Sequence, residues 1–408
     1  MNILFYTIIA ILVIQFLVET ILDYLNAKHY GDPIPEALED VFDTKEYLKS
    51  QEYQKTNYRF GLLSSSFSIL LTLAFLVFGG FEWADQLART FSDNEIVVTL
   101  IFFGIITIGS DLLSTPFSYY QTFVIEERFG FNKSTKKLFF IDKLKGWLMM
   151  AALGGGVITL AMWFYQWAGP NFWLYVWGLV TAIIVFMNLF YSKLIVPLFN
   201  KQTPLEEGSL KSKIEAYAFK VGFELKNVFV IDGSKRSTKA NAYFSGFGRE
   251  KRITLYDTLI KDLDEEEIVA VLAHEVGHYK RKHIIFNLAA SVLVLGFTLF
   301  ILSLFINNPE VSKAIGVSQP SFHAALIGFG ILYSPISELT SLVMNFLSRK
   351  FEYQADDYAK NTFAARPLIT SLKKLSKNSL SNLTPHPAYV FMHYSHPPLI
   401  ARIKNLMA

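Results

Sequence analysis

The chain contains no cysteine and few charged residues. None of its 408 residues is cysteine, which excludes disulfide bonds and any metal site built on thiolates. Charged residues make up only 18% of the sequence, whereas 52% is hydrophobic and 37 residues are Phe. That balance is too apolar for an ordinary soluble enzyme and is typical of an integral membrane protein. The net charge of +3 is small and says nothing about nucleic acid; we expect no nucleic-acid partner.

Seven apolar runs are long enough to cross a bilayer. The first run lacks a basic start and a clear cleavage site, so we expect a retained anchor and not a signal peptide. We therefore predict a mostly α-helical, polytopic membrane protein. The predicted spans are residues 3–25, 60–81, 96–118, 146–168, 172–197, 284–306 and 321–346.

Lys and Arg are distributed unequally between the segments that connect these spans. With the N-terminus outside, the inner segments 26–59, 119–145, 198–283 and 347–408 carry 5, 6, 15 and 9 basic residues, which is 35 of the 38 in the chain. Basic loops stay on the cytoplasmic side of a membrane, so we expect these four segments to be cytoplasmic. The chain then divides into residues 1–197 (spans one to five), 198–283, 284–346 (spans six and seven) and 347–408.

The inner segment 198–283 is predicted to be a small α/β unit. Residues 203–206 (TPLE) are typical of a capping box with Pro at the first helical position, and predict a helix that ends near Val221. Asp264 and Glu267 predict the start of a second helix, which runs toward the sixth span. Between them lie three short β-rich runs, Val228–Ile231, Ala242–Phe244 and Arg252–Tyr256.

A short motif, residues 274–278 (HEVGH), lies in the second of these helices. Positions i and i+4 of a helix share a face, so His274 and His278 can bind one metal ion together. Glu275 lies beside them, where it could take a proton from a metal-bound water. His283 follows five residues after His278, off the ligand face. We therefore expect His283 to mark the membrane boundary and not to bind metal.

A metal site with two His ligands needs at least one more protein ligand. The best candidate is Glu352, 74 residues after His278, on a predicted helix on the same side of the membrane. Asp356 lies four residues further on and shares its helical face. From there it could accept the free ring N–H of a ligating His and fix the tautomer of that ring.

Taken together, these segments resemble the type I CAAX prenyl endopeptidases, a family of membrane zinc metalloproteases. The resemblance extends over nearly the whole chain and implies a hollow helical barrel in the membrane, with the catalytic site at its cytoplasmic end. The segments that carry it are residues 123–142 (FVIEERFGFNKSTKKLFFID), 241–246 (NAYFSG), 252–260 (RITLYDTLI), 274–278 (HEVGH), 351–356 (FEYQAD) and 394–398 (YSHPP).

The resemblance also implies the roles of the metal-site residues. His274, His278 and Glu352 would bind one Zn²⁺, and Glu275 would be the catalytic acid and base. Asp356 would accept a hydrogen bond from the ring of a ligating His and so orient that ring.

Four further residues receive roles from the resemblance. Asn241 and Ala242 would bind the substrate backbone in extended form, by adding a strand to a sheet edge. His396 and Arg402 would lie near the metal and stabilise the substrate or the developing oxyanion.

We therefore predict a zinc-dependent membrane endopeptidase acting on prenylated or other membrane-associated peptides and proteins. The chain lacks a dibasic retrieval signal at its end, so we expect a bacterial cytoplasmic membrane, with the endoplasmic reticulum as the eukaryotic alternative. A transporter or channel is a second hypothesis, because Glu19, Asp111 and Glu338 lie within predicted spans. A site-2-type intramembrane metalloprotease is a third, although that type uses an Asp as third ligand. The oligomeric state is left open.

Overall fold

A computed structural model describes residues 2–40, 42–225, 227–245 and 252–408. The last residue of the NAYFSG motif, Gly246, lies outside these ranges. Helices come first in the chain: α1 (Ile3–Ala27), α2 (Thr44–Val77), α3 (Gly80–Arg89), α4 (Glu95–Tyr120), α5 (Glu127–Phe129), α6 (Lys136–Met149), α7 (Gly155–Ala168), α8 (Phe172–Leu194) and α9 (Val196–Phe199). Two π-helical turns, Gln121–Glu126 and Met150–Gly154, join α4 to α5 and α6 to α7.

A mixed region follows, and then helices to the end of the chain. The mixed region contains β1 (Gln202–Pro204), α10 (Ser209–Lys220), β2 (Asn227–Ile231), β3 (Ala242–Ser245), β4 (Arg252–Tyr256), α11 (Asp257–Asp262) and α12 (Glu265–Lys280). The remaining helices are α13 (His283–Phe305), α14 (Pro309–Ala314), α15 (Phe322–Thr362), α16 (Ala365–Asn378), α17 (Pro387–His393) and α18 (Leu399–Met407).

Six helical stretches of the described chain are long and apolar enough to cross a membrane. They are Ile3–Ala27, Thr44–Val77, Glu95–Phe129, Lys136–Phe199, His283–Phe305 and Phe322–Thr362. The fourth stretch contains two of the seven predicted spans, because the chain turns at Gly169 (φ +54°) and α8 then packs against α7. Most of each predicted span is therefore helical, although the second is interrupted at Phe78 and Gly79, between α2 and α3. Some helices extend beyond the apolar runs, such as α2, which begins at Thr44.

Three carboxylates within these stretches, Glu19, Asp111 and Glu338, have polar partners. Such partners offset the cost of placing a charge at membrane depth. The contacts are Lys143 Nζ to both oxygens of Asp111 (2.9 and 2.8 Å), Trp147 Nε1 to Asp111 (2.9 Å), Gln15 Nε2 to Glu338 (2.6 Å) and His393 Nε2 to Glu19 (3.1 Å).

Helix α15 is 41 residues long, which corresponds to about 60 Å at 1.5 Å per residue. The sequence predicted a span that ends at 346 and a separate polar helix after it, and this separation was wrong. The single helix contains Pro335, which cannot donate to the carbonyl of Ile331. The Ser334 hydroxyl donates to that carbonyl instead, at 2.8 Å, so the helix passes through the proline without an unsatisfied acceptor. The predicted seventh span and the helix that carries Glu352 are thus one element.

The mixed region forms a four-stranded sheet with the order β1-β2-β4-β3. The predicted strands are present as β2, β3 and β4, but the predicted helix start at residues 203–206 was wrong. There β1 pairs antiparallel with β2, and Pro204 lies opposite Phe229. Pro is tolerated in an edge strand, and pairing with β2 outweighs the local capping signal. The helix α10 begins later, at Ser209.

Helix α12 carries the HEVGH motif and packs into the core of this unit. Its start has the predicted capping box, in which the Asp264 N–H donates to Glu267 at 2.9 Å. The side of α12 that carries Val269, Leu272 and Val276 is buried between the sheet and the helices α10 and α16. This packing leaves the opposite side of α12 to face α15.

The two helices come closest at Gly277. A Cβ placed on Gly277 would lie 3.1 Å from the Cα and the carbonyl oxygen of Ala355, and 3.1 Å from Cβ of Tyr358. Two of these three atoms belong to the α15 backbone, so they can make room only if the whole helix moves.

We expect Gly277→Ala to destabilise the protein. Overpacking costs about 1–3 kcal/mol, more than the roughly 0.5–1 kcal/mol that Ala gains over Gly in a helix. The thermal unfolding midpoint in detergent micelles should therefore fall. Gly156→Ala is the matched control, because an added Cβ there meets no described atom within 4 Å. Equal midpoints for the two variants would contradict this account.

Candidate metal centre

Three side chains from two helices converge where α12 meets α15. One ligand atom from each of His274, His278 and Glu352 lies within 4.8 Å of the other two. The Nε2 atoms of the two His rings are 3.1 Å apart, and the Glu352 oxygens lie 3.4 Å from His274 Nε2 and 3.3 Å from His278 Nε2. Two His nitrogens and one carboxylate are a ligand set that zinc and similar divalent metals accept.

The carboxylate of Glu352 indicates that these residues fit a metal ion. Its side chain is only 5% exposed, and its Oε2 atom has no hydrogen-bond partner among the described residues. Burying an oxygen of this kind without a hydrogen-bond donor is costly. A metal ion between the three ligand atoms would remove this cost.

Asp356 lies behind His274, on the side away from the other ligands. It is fully buried, and its Oδ1 atom is 2.9 Å from His274 Nδ1. Arg402, from α18, donates to both oxygens of Asp356, from Nε at 2.9 Å and from Nη2 at 2.6 Å. This paired contact satisfies the charge of Asp356 and holds it against the His ring. The Nη1 atom of Arg402 lies 3.6 Å from Glu352 Oε2.

His396 and Glu275 lie near the cluster. The side chain of His396 is 65% exposed, and its Nε2 atom is 3.3 Å from Glu352 Oε1. Glu275 is half-buried on α12 and interacts electrostatically with Arg402. Both side chains are therefore close to the cluster, and His396 remains accessible to an incoming molecule.

Asn241 and Ala242 lie at the edge strand β3 and are not among the side chains of the cluster. The Asn241 carbonyl accepts from the Tyr256 N–H at 3.1 Å, and its side chain accepts from the Ala242 N–H at 2.8 Å. In the described sheet, β3 pairs only with β4. Its second edge has no strand partner in the described sheet.

His283 is the first residue of α13, a helix apolar enough to cross a membrane, and it is not one of the three residues of the cluster. Its contact with the cluster was not predicted: the residue is 3% exposed, and its Nδ1 atom is 3.1 Å from His278 Nδ1. Helical periodicity gave no signal for this contact, because the chain leaves the helix between the two residues.

Two protein families match the chain, and together they cover nearly all of it. Residues 23–201 match the family described as CAAX prenyl protease N-terminal, five membrane helices, and residues 204–408 match peptidase family M48. The CAAX prenyl protease 1 homolog of Oryza sativa subsp. japonica is 36% identical over 98% of this chain and 96% of its own length. CAAX prenyl protease 1 of Saccharomyces cerevisiae is 34% identical over 96% of this chain and 92% of its own length.

The chain belongs to peptidase family M48.

Structural comparison agrees with this assignment. The crystal structure of S. mikatae Ste24p superposes with a TM-score of 0.93 at 33% identity, over 100% of this chain and 99% of that one. As an M48 peptidase with a matching membrane region, the chain is a multi-pass membrane metalloendopeptidase, and its His-His-Glu cluster is suited to the metal. The predicted family, fold class and enzyme class are confirmed, and neither the transporter nor the site-2-type hypothesis is favoured.

The metal affinity of this M48 peptidase should depend on pH through His274. Burial lowers the pKa of His274, but hydrogen bonds to Asp356 and Glu352 outweigh burial and raise it to about 9 in the metal-free protein. Below that pH the ring is protonated and must lose its proton when metal binds. The affinity should therefore increase about tenfold per pH unit between pH 7 and 9, which chelator competition measures.

Replacing Asp356 separates this effect from other titrations. In Asp356→Asn the pKa of His274 should fall, and the pH dependence between 7 and 9 should become shallower. Asp357→Asn is the control, because the Asp357 carboxylate accepts from Asn405 at 3.0 Å. An equally steep pH dependence in all three proteins would refute the role given to His274.

Proposed function

We propose that this membrane endopeptidase uses one Zn²⁺ ion, bound by His274, His278 and Glu352. One observation above all supports the proposal. The Oε2 atom of Glu352 is buried without a described hydrogen-bond partner, and Glu352 lies close to the nitrogens of both His residues. Nitrogen and carboxylate ligands without thiolates suit zinc in a hydrolase, where a fourth position is left for water.

The mechanism follows from where the side chains lie. Bound zinc supplies a Lewis acid and lowers the pKa of water toward about 7. Glu275, next to the first ligand, takes the proton of the attacking water and later gives it to the leaving amine. Since water is the nucleophile, no acyl-enzyme forms.

Three other side chains support this chemistry. Asp356 accepts the Nδ1–H of His274 and so directs Nε2 of that ring toward the metal. His396, exposed at the cluster, donates to the negative charge that develops on the scissile carbonyl oxygen. Arg402 uses Nε and Nη2 to hold Asp356, so Nη1 is the atom through which it can reach that charge.

We propose that the substrate binds in extended form along β3. Backbone groups alternate in direction along a strand. Since the Asn241 carbonyl faces β4 and accepts from the Tyr256 N–H, the Ala242 N–H faces the open edge. There the Asn241 side chain accepts its hydrogen, and a substrate carbonyl would take over that position. Prenylated or other membrane-associated peptides are the proposed substrates.

Glu275→Gln tests the proposed chemistry. The variant should retain zinc but cleave at least about 10²–10⁴-fold more slowly, because an amide cannot take the proton. Farnesylated and unmodified forms of one peptide should be compared, with product masses read for each. The wild-type rates then report how far cleavage depends on the lipid.

The matched control for this experiment is Glu266→Gln. Glu266 is an exposed acid in the first turn of the same helix and pairs with Lys213 at 2.9 Å. The Glu266→Gln variant should cleave the peptide at the wild-type rate. If Glu275→Gln also cleaved at that rate, the assignment of the acid and base would be lost.

We further propose that the metal centre faces the cytoplasm. The support is the one-sided distribution of Lys and Arg, of which 35 of 38 lie in the inner segments. A bacterial cytoplasmic membrane, with the endoplasmic reticulum as the eukaryotic alternative, remains a prediction.

The absence of cysteine makes this orientation easy to test. Single cysteines introduced as Asp93→Cys, Lys235→Cys and Lys404→Cys would each carry the only thiol in the chain. In sealed right-side-out vesicles, a membrane-impermeant maleimide should label only Asp93→Cys. Lys235→Cys and Lys404→Cys should react only after permeabilisation. The reverse pattern would invert the proposed topology.

A further inference from the structure

His283 makes three contacts beside the metal centre. Its Nδ1 atom lies 3.1 Å from Nδ1 of His278, and its Nε2 atom lies 2.8 Å from Oε1 of Gln354. The ring of Phe351 stacks on it, with centroids 4.2 Å apart and planes 10° apart. A buried imidazole with both nitrogens in contact and one face covered has a fixed orientation.

A break in the helix brings His283 to this position. Helix α12 ends at Lys280 and α13 begins at His283, and between them Lys282 has φ +62°. Residues other than Gly seldom adopt this left-handed conformation. In an unbroken helix His283 would lie about 140° around the axis from His278, far from its ring. The turn at Lys282 changes the direction of the chain and so places the rings of His283 and His278 in contact.

The contacts limit where the protons can be. With its oxygen facing His283, the Gln354 amide can only accept there, so His283 carries its proton on Nε2. The neutral His283 ring then accepts at Nδ1, and the hydrogen in that contact belongs to His278 Nδ1. The Nε2 atom of His278 is therefore left with a free lone pair, on the side that faces His274 and Glu352.

The opposite arrangement would prevent metal binding. If the Gln354 amide were turned so that nitrogen faced His283, it would donate to Nε2, and His283 would carry its proton on Nδ1. That proton would point at His278 Nδ1 and force the His278 proton onto Nε2, the atom that faces the other ligands. Only the first arrangement is compatible with a metal ligand.

We propose that His283, with Gln354 behind it, is a positioning residue that fixes the tautomer and orientation of the ligand His278. This inference rests on the proposed metal-binding role of His278. It gives the two His ligands different supports. The charged pair of Asp356 and Arg402 holds His274, whereas an uncharged chain of two hydrogen bonds holds His278.

His283→Phe and His283→Gln together test the proposal. Phe can still stack on Phe351 but offers no acceptor to His278, so zinc affinity should fall about 10–100-fold. The Gln amide can accept from His278 and donate to Gln354, so His283→Gln should recover most of that loss. Zinc affinity is measured by chelator competition. Thermal unfolding with chelator present shows whether each metal-free variant is folded.

Two more variants complete the experiment. Gln354→Leu removes only the outer acceptor, so it should lower zinc affinity less than His283→Phe; it replaces His283→Phe as the test if that variant does not fold. His386→Gln is the control, because His386 accepts from the Ala388 N–H at the start of α17 and should leave affinity unchanged.

The outcomes separate this proposal from the proposed function. Wild-type protein that binds no zinc would remove the proposed function itself. If the wild type binds zinc and the folded variants His283→Phe and Gln354→Leu bind it equally tightly, only the role of His283 is overturned. The same holds if His283→Gln loses as much affinity as His283→Phe, since hydrogen bonding would then not be the cause.

Discussion

The close packing of α12 against α15 is the contact on which the rest of the structure depends. It joins a helix of the α/β unit to the end of a membrane-spanning helix, with the backbone of Ala355 against Gly277. Glu352 on α15 faces His274 and His278 on α12 across this contact. The core around Leu272 and Val276 and the hydrogen bonds from α18 keep α12 and α15 in this relation. The candidate metal site is thus an interface between two parts of one chain.

Electrostatics at this interface favour the metal-bound state. Glu352 and Asp356 are both buried, and burying carboxylates is unfavourable unless each is paired. Asp356 has Arg402 and His274, whereas Glu352 has Arg402 Nη1 at 3.6 Å and keeps an oxygen without a described hydrogen-bond donor. A cation at the cluster would complete the pairing. It would also connect the α/β unit to the membrane helix more firmly than packing alone, because its ligands come from both.

Local patterns in the sequence predicted the parts of the site that depend on helical periodicity. The i, i+4 spacing within HEVGH and between Glu352 and Asp356 needs only an intact helix, and both helices are present. The strands β2, β3 and β4 also follow from their own residues. Periodicity failed where tertiary contacts decide. Pairing with β2 makes residues 202–204 a strand, and the left-handed residue Lys282 brings His283 to His278. The pair of Arg402 with Asp356 joins residues 46 apart, which no local pattern predicts.

The proline in α15 has a mechanical consequence for the metal site. Pro335 and Glu352 are 17 residues apart on one helix, which is about 25 Å. A change of 1° in the bend at the proline would therefore displace the Glu352 carboxylate by about 0.4 Å. Metal–ligand distances tolerate only about 0.2 Å. Gln15, which donates to Ser334 at 2.8 Å and to Glu338 at 2.6 Å, braces α15 on both sides of this point. The bend angle of α15 at Pro335 thus affects the position of Glu352 in the candidate metal site, and α1 restrains that angle through Gln15.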